Sequence, residues 1–363
     1  MNLLFVVSHL RGGGLVNVLY NICLQLLQHR EINVKILTLR REGERSVIDN
    51  FRNLGIEVTQ LNLPYWVCEL LPKYVCRMVQ KIVNNRKINI VHCHGYHPVI
   101  VCQHLKKVKK ISTLHDRACE DFINVFGKVI GSVMLKKYYH ALNRFDLNLA
   151  VSKSTAKSYE QSIGNLQYVN NGIDTDKFKP LPKDKKIELR EKLGMRKGAK
   201  VFVCTGRLEK EKGIEELVRW FDVVKTSQDV QLYVLGGGSL MNECKSIIRH
   251  PEKVIFTGQI GNVVDYLQAA DYYISNSKSE GMSLAVCEGM ACGLYPILSN
   301  IPSHHDVGEG VNGCFFDNPK DIDIENVLRH ENNPIEYYTC ISKYFSVPSM
   351  TKSYLEYYHK ILY

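Results

Sequence analysis

The chain has 363 residues, 45% hydrophobic and 23% charged, a balance that fits an ordinary soluble globular protein and excludes a disordered or collagen-like one. No apolar run reaches about 18 residues, so no segment is expected to span a membrane. The opening MNLLFVV lacks a basic flank and reads as a first strand, not a signal peptide. The formal charge of +10 is uneven: residues 1–170 hold 23 Lys/Arg against 11 Asp/Glu, and the remainder 24 against 26. Twelve cysteines without a C-x-x-C pair read as reduced, mostly buried thiols of a cytosolic protein.

Short apolar strands alternate with amphipathic helical runs, which predicts parallel α/β sheets. In the first half the strands read Leu3–Val7, Val34–Leu39, Val58–Leu61, Ile90–His92, Ile111–Leu114, Leu147–Val151 and Gln167–Val169. Gly12-Gly13-Gly14 follows the first strand. Asn17 stands where a dinucleotide fingerprint needs glycine, so this reads as a Cβ-free loop approaching a sugar or phosphate. His94 and His115 end two further strands, and a strand-end His faces the ligand side of a doubly wound sheet. His92 and His94 are expected on opposite faces of their strand, which argues against a shared metal.

Two basic clusters stand out: Lys106, Lys107, Lys109 and Lys110, then Lys128, Lys136, Lys137 and Arg144. Tyr65, Trp66, Phe122, Phe126, Tyr138 and Tyr139 lie near them in sequence. No nucleic-acid recognition module is visible. An anionic membrane surface fits these residues, and a merely solvated basic face is the alternative.

A charged stretch, Lys177–Lys200, separates the halves. The strands then restart at Val201–Thr205, Gln231–Leu235, Val254–Phe256, Tyr272–Asn276 and Leu294–Ser299. Gly206, Arg207 and Lys212 follow the first of these, and both cations can reach a diphosphate from a strand end. Gly236 and Gln259-Ile260 follow the next two. Glu280 comes after the fourth strand, and Gly281-Met282-Ser283-Leu284 opens a helix that carries Glu288 about two turns further on. Small residues at a helix start, with free N–H groups and the helix dipole, suit a phosphorylated sugar. The tail from Ile335 to Tyr363 is expected to be helical.

These motifs resemble, in order, those of the retaining GT-B glycosyltransferases of group 1, or family 4. They are the glycine loop, His115-Asp116, Asn171-Gly172-Ile173-Asp174, Gly206-Arg207-Leu208…Lys212-Gly213, Gly236-Gly237-Gly238, Phe256-Thr257-Gly258 and Glu280-x7-Glu288. The resemblance implies two Rossmann-like domains facing a cleft: residues 1–176 binding acceptor, 177–340 binding the nucleotide sugar, and a final helix, 341–363, crossing back to the first domain. It implies a metal-independent, retaining transfer from a nucleotide-diphosphate sugar, with no cofactor. Arg207 and Lys212 would neutralise the diphosphate, Glu280 would fix sugar hydroxyls, Glu288 would bond the ribose, and His115 would reach the donor sugar. Gly13, Gly14, Gly206, Gly236, Gln259, Ile260 and Gly281 to Leu284 would line the donor; His94, Asn171, Gly172 and Asp174 would border the cleft.

Asp174-Thr175-Asp176 mimics a D-x-D metal site, a reading set aside because Arg and Lys already supply the positive charge. Leu15 and Val16 depart from the family's polar residues after the glycine pair. A lipid-linked saccharide acceptor, at the inner face of the cytoplasmic membrane in bacterial surface-polysaccharide synthesis, would suit the basic first half. A GT-B nucleotide-sugar epimerase and a non-catalytic sugar-nucleotide-binding relative are the alternatives.

Overall fold

Runs such as LLFVV leave no polar side for solvent, and Leu3–Val7 are all buried, so each sheet must be covered on both faces. The protein is described by a computed structural model. It covers every residue except 45 and 309, and gives only the backbone of 118–121 and 124. The chain forms two compact units, one of Met1–Gly172 with Val347–Tyr363, the other Ile173–Ser346.

The first unit holds β1 (Asn2–Val7), β2 (Asn33–Arg40), β3 (Glu57–Leu63), β4 (Ile90–His94), β5 (Lys109–Leu114), β6 (Leu147–Ala150) and β7 (Leu166–Tyr168). They form one parallel sheet in the order β3-β2-β1-β4-β5-β6-β7. The second unit holds β8 (Lys200–Thr205), β9 (Val230–Leu235), β10 (Val254–Gly258), β11 (Tyr272–Ser275), β12 (Tyr295–Ser299) and β13 (Cys314–Phe316). These are again parallel, in the order β10-β9-β8-β11-β12-β13. Each sheet therefore reverses its winding once, between β1 and β4 and between β8 and β11. Ligands bind outside the carboxyl ends of strands at such a point.

The helix Val347–Leu362 packs on the first sheet. The expected helix began at 341, whereas residues up to Ser346, including the helix Pro334–Tyr344, belong to the second unit. Tyr354 and Tyr358 of the final helix are fully buried. The Tyr358 hydroxyl lies 2.7 Å from His92 Nδ1, His92 Nε2 lies 2.7 Å from Thr113 Oγ1, and the Tyr354 hydroxyl lies 3.2 Å from that same oxygen. Buried polar groups must be paired, and here the pairing ties the last helix to β4 and β5.

Two readings change. The charged stretch Lys177–Lys200 is not a bare separator, because Lys183–Lys192 is a helix of the second unit. Its Lys186 and Arg190 reach the Asp271 carboxylate at 3.0 and 2.6 Å, and the Val201 N–H donates to it at 2.9 Å. Burial would raise the Asp271 pKa, but these partners hold it below the ordinary value. The sequence reading also missed β13, three residues long. Among the described residues no helix is long and apolar enough to cross a membrane.

Candidate active site

In the second unit, the loops after β8, β9 and β10 are stitched together by backbone. Gly206 N–H donates to Leu235 O (3.0 Å), Leu208 N–H to Gly237 O (3.0 Å) and Gly236 N–H to Gly258 O (2.9 Å). Gly236 has φ 135°, and a Cβ there would sit 1.9 Å from Gly206 O, so only glycine permits this approach. Ser239 closes the arrangement by donating its N–H and hydroxyl to Glu209 at 3.1 and 2.6 Å. Gly206 and Gly236 are thus neighbours; Gln259 is exposed and Ile260 half-buried just beyond β10.

Lys212 ends a single tight turn, Lys210–Lys212, closed by Gly213 in the left-handed region (φ 59°). Asn276, just past β11, donates to Gly213 O at 2.8 Å. A Cβ at Gly213 would lie 2.3 Å from Asn276 O. That close join sets Lys212 beside Glu280, with Nζ 2.9 Å from Oε1 and side-chain exposures of 24% and 10%. Burial pushes the Glu280 pKa up, yet Lys212, His304 and the Ser277 hydroxyl outweigh it and hold it below the ordinary value. Glu280 is therefore an ionised carboxylate within the fold.

His304, absent from the sequence reading, completes this group. It is fully buried, with Nε2 3.9 Å from Glu280 Oε1. Its Nδ1 lies 2.9 Å from the Ser299 carbonyl, an acceptor only, which assigns the proton to Nδ1. Burial lowers its pKa, against the pull of Glu280 and the Ser299 backbone bond. The only sequence signal was its place five residues after the end of β12.

Glu288 lies in the second turn of the helix Leu284–Ala291. Gly289 lets that helix press on β11, since a Cβ there would lie 2.4 Å from the Tyr273 ring. Among the described residues no group hydrogen-bonds the Glu288 carboxyl. Burial raises its pKa to about 7, with Lys177 pulling the other way. Burial, with smaller contributions from both carboxylates, pushes up the Tyr273 phenol, whose hydroxyl lies 3.1 Å from Thr205 Oγ1. One ionised carboxyl and one whose pKa is raised thus flank the same strand.

Arg207 stands apart from Glu280: its side chain is 80% exposed and lies 4.0 Å from Glu211. At the helix start, the Leu284 N–H is taken up by Met282 O at 3.2 Å, and Ser283 is buried without a side-chain cap bond. Gly281 and Leu284 remain half-exposed and Met282 is buried.

In the first unit, Gly12, Gly13 and Gly14 border open space, since an added Cβ meets nothing within 4 Å at any of them. His94 and His115 are joined, Nδ1 to Nε2, at 2.9 Å. The opposite-face expectation for His92 and His94 is wrong: their ring centroids are 4.5 Å apart, because residues two apart on a strand share a face. His94 Nε2 is buried and meets no partner among the described residues. A bare lone pair is cheaper to bury than an orphaned N–H. The network therefore assigns the His94 proton to Nδ1, donating to His115 Nε2, and leaves His115 an Nδ1–H that no described group meets. Burial lowers the pKa of His115 to about 4, so it stays neutral.

Asn171 and Gly172 are buried at the end of the first unit, and the Gly172 N–H meets Met350 S at 3.1 Å. The Asp174 carboxylate caps a turn, accepting from Asp176 N and Lys177 N at 3.0 Å each. That is a local structural task.

Two family profiles match the chain in tandem: Glycosyltransferase Family 4 over residues 12–177, and Glycosyl transferases group 1 over residues 185–337. The chain belongs to the group 1, family 4 glycosyltransferases. Within that family it is 28% identical over 239 residues to alpha-monoglucosyldiacylglycerol synthase of Streptococcus pneumoniae, covering 61% of this chain and 53% of the relative. It is 28% identical over 166 residues to UDP-Gal:alpha-D-GlcNAc-diphosphoundecaprenol alpha-1,3-galactosyltransferase of Escherichia coli, covering 44% and 42%. The chain thus spans about half the length of these two relatives. In structure it is similar to Anabaena Alr3699/HepE solved with UDP, with TM-score 0.82 and 17% identity over 99% of this chain and 100% of that one. The fold is that of the GT-B glycosyltransferases, and the paired Lys212 and Glu280 follow β8 and β11 of the second sheet.

Proposed function

We propose that this chain moves a glycosyl group from a nucleotide-diphosphate sugar to a saccharide acceptor, with retention and without a metal ion. The observation that carries this reading is the half-buried Lys212–Glu280 ion pair, whose members follow β8 and β11, with Glu288 in the second turn of the helix that comes next. A bound diphosphate would draw Lys212 and the exposed Arg207, freeing Glu280 to accept from sugar hydroxyls. Glu288 would accept from the ribose hydroxyls, and the His115 Nδ1–H would donate to a sugar hydroxyl. In the transfer, the bond from C1 to the diphosphate oxygen breaks as the acceptor oxygen bonds to C1 on the same face. The acceptor proton goes to the departing diphosphate, whose charge the two cations stabilise.

The second unit is the donor unit in this reading and the first the acceptor unit. UDP is the first nucleotide to try, because the Anabaena neighbour was solved with it. The names of two relatives carry a diacylglycerol and a diphosphoundecaprenol, which supports a lipid-linked acceptor at the inner face of the cytoplasmic membrane, in bacterial surface-polysaccharide synthesis.

The test is incubation with nucleotide sugars and lipid-linked saccharides, with the product anomer read by NMR. Retained configuration, lost in Glu280→Gln, supports the reading; an inverted product or a variant of full activity overturns it. Donor conversion with no acceptor would mark an epimerase instead.

A further inference from the structure

The first unit displays apolar side chains that its own fold leaves uncovered. Among the described residues, ten of the eighteen exposed large hydrophobic side chains fall between Tyr65 and Val133. The chain there makes a helical hairpin. The helix Ala118–Leu142 is broken at Gly127 (φ 77°, ψ 168°), and a Cβ on Gly131 would lie 2.4 Å from Phe122 O, so the two arms press together. At the tip stand Val125, Phe126, Val129 and Ile130, exposed by 71, 40, 80 and 60%, with Lys128 between them.

A second apolar group lies on the helices that the hairpin's longer arm meets. Lys137, on the longer arm, pairs with Glu69 at 2.6 Å, which fastens the hairpin to the helix Tyr65–Leu70. That helix and the next expose Trp66, Leu70 and Tyr74 by 56, 70 and 57%. The hairpin and this helix follow β5 and β3, so both begin at the carboxyl edge of the sheet, where His94 and His115 lie.

We infer that this surface docks on an anionic lipid bilayer, with the hairpin tip and Trp66 entering the headgroup region. The inference rests on the lipid-linked acceptor proposed above and names the surface that meets the lipid. The charge argues for lipid over protein: the hairpin and the two helices that carry these side chains, residues 65–85 and 118–142, hold six Lys/Arg against three Asp/Glu. Lysine is depleted in protein interfaces, whereas aliphatic side chains with flanking Lys and a Trp–Tyr fringe are what an anionic bilayer boundary takes.

The footprint also differs from the one read off the sequence. Lys106, Lys107, Lys109 and Lys110 lie at the amino edge of β5, where Lys109 pairs with Asp146 at 3.5 Å and Lys110 donates to Gln103 O at 3.1 Å. Tyr138 is buried, and Phe122 and Tyr139 pack partly against the core.

Trp66 and Trp220 are the two tryptophans, and Trp220 is only 9% exposed, so the full chain carrying Trp220→Phe reports Trp66 alone. With phosphatidylglycerol–phosphatidylcholine vesicles, its emission should shift to the blue and be quenched by brominated acyl chains; pure phosphatidylcholine should give at least tenfold weaker binding. Val129→Asp with Ile130→Asp should weaken vesicle binding at least tenfold, and the Lys106/107/109/110→Gln variant by less. Unquenched Trp66, or a tip variant that binds as wild type, overturns the inference. So does a light-scattering mass that doubles with concentration and is restored to monomer by Val129→Asp, which would make the face a self-interface. The tip lies outside the donor residues, so nucleotide stabilisation of the tip variant separates loss of docking from failure of the enzyme reading.

Discussion

The two units share one strand order and one winding reversal, yet they equip the same strand ends with opposite chemistry. In the second, the ends of β8 and β11 carry charge: an ionised Glu280 held by Lys212, with Arg207 exposed beside them. In the first, the ends of β4 and β5 carry two neutral imidazoles, with an open glycine loop after β1. Topology places a ligand edge and leaves its chemistry to a few loop residues. An edge with cations suits a diphosphate that gains charge as it leaves. An edge of neutral donors suits uncharged hydroxyls.

Breaking the charged edge should cost most. Glu280→Gln or Lys212→Met should lower turnover by about 1,000-fold in steady-state assays. Lys212→Met should also destabilise the second unit by about 3 kcal/mol in urea, because it strands a buried carboxylate. Adding Glu280→Gln to it should restore most of that stability, though none of the activity.

Acidity sharpens the comparison, because the units should respond with opposite sign. Glu288 keeps its proton to about pH 7 when folded, while the unfolded chain loses it near the ordinary value. The second unit therefore loses stability as pH climbs from about 4.5 to 7, by about 3 kcal/mol at most, and is level above. Glu288→Gln should remove that slope and raise stability at pH 8, as followed by Trp220 fluorescence. In the first unit burial lowers His92 to about 3 and His115 to about 4. Their unfolded forms take up protons below about 6.5, so its stability should fall as pH drops from there; Trp66 fluorescence reports it.

The smallest effect concerns the neutral edge. His94→Leu removes the N–H that fixes the His115 tautomer, and should lower kcat about tenfold with little change in KM. His94→Gln, which restores an amide donor, should recover part of it. Equal losses in both variants would make His94 a packing residue only.

Most of the fold was legible because parallel strands buried on both faces write themselves as apolar runs. Twelve strands were placed from such runs, but CFF of β13 was too short to register. The motif residues were legible because strand ends and helix starts constrain them locally: Gly213, Lys212 and Glu280 were each placed by neighbours in the chain. His304 was not, since it meets Glu280 through a fold-back from β12 that no local pattern records. Likewise, nothing in the tail's tyrosines foretold their bonds to His92 and Thr113. The helical signal of Lys183–Lys192 was hidden by its charge, because that helix is held by Lys186 and Arg190 on Asp271 and buries no residue of its own.

The central claim is that the charged edge of the second unit holds a nucleoside diphosphate. The most direct test follows thermal unfolding by Trp220 fluorescence in the presence of UDP, GDP, ADP and dTDP, for the wild-type chain and for Arg207→Ala with Lys212→Met. One nucleotide at 100 times its dissociation constant should stabilise the wild-type second unit by about 2.7 kcal/mol and leave the double variant unmoved. Equal stabilisation of both proteins, or none from any nucleotide, would contradict the donor assignment.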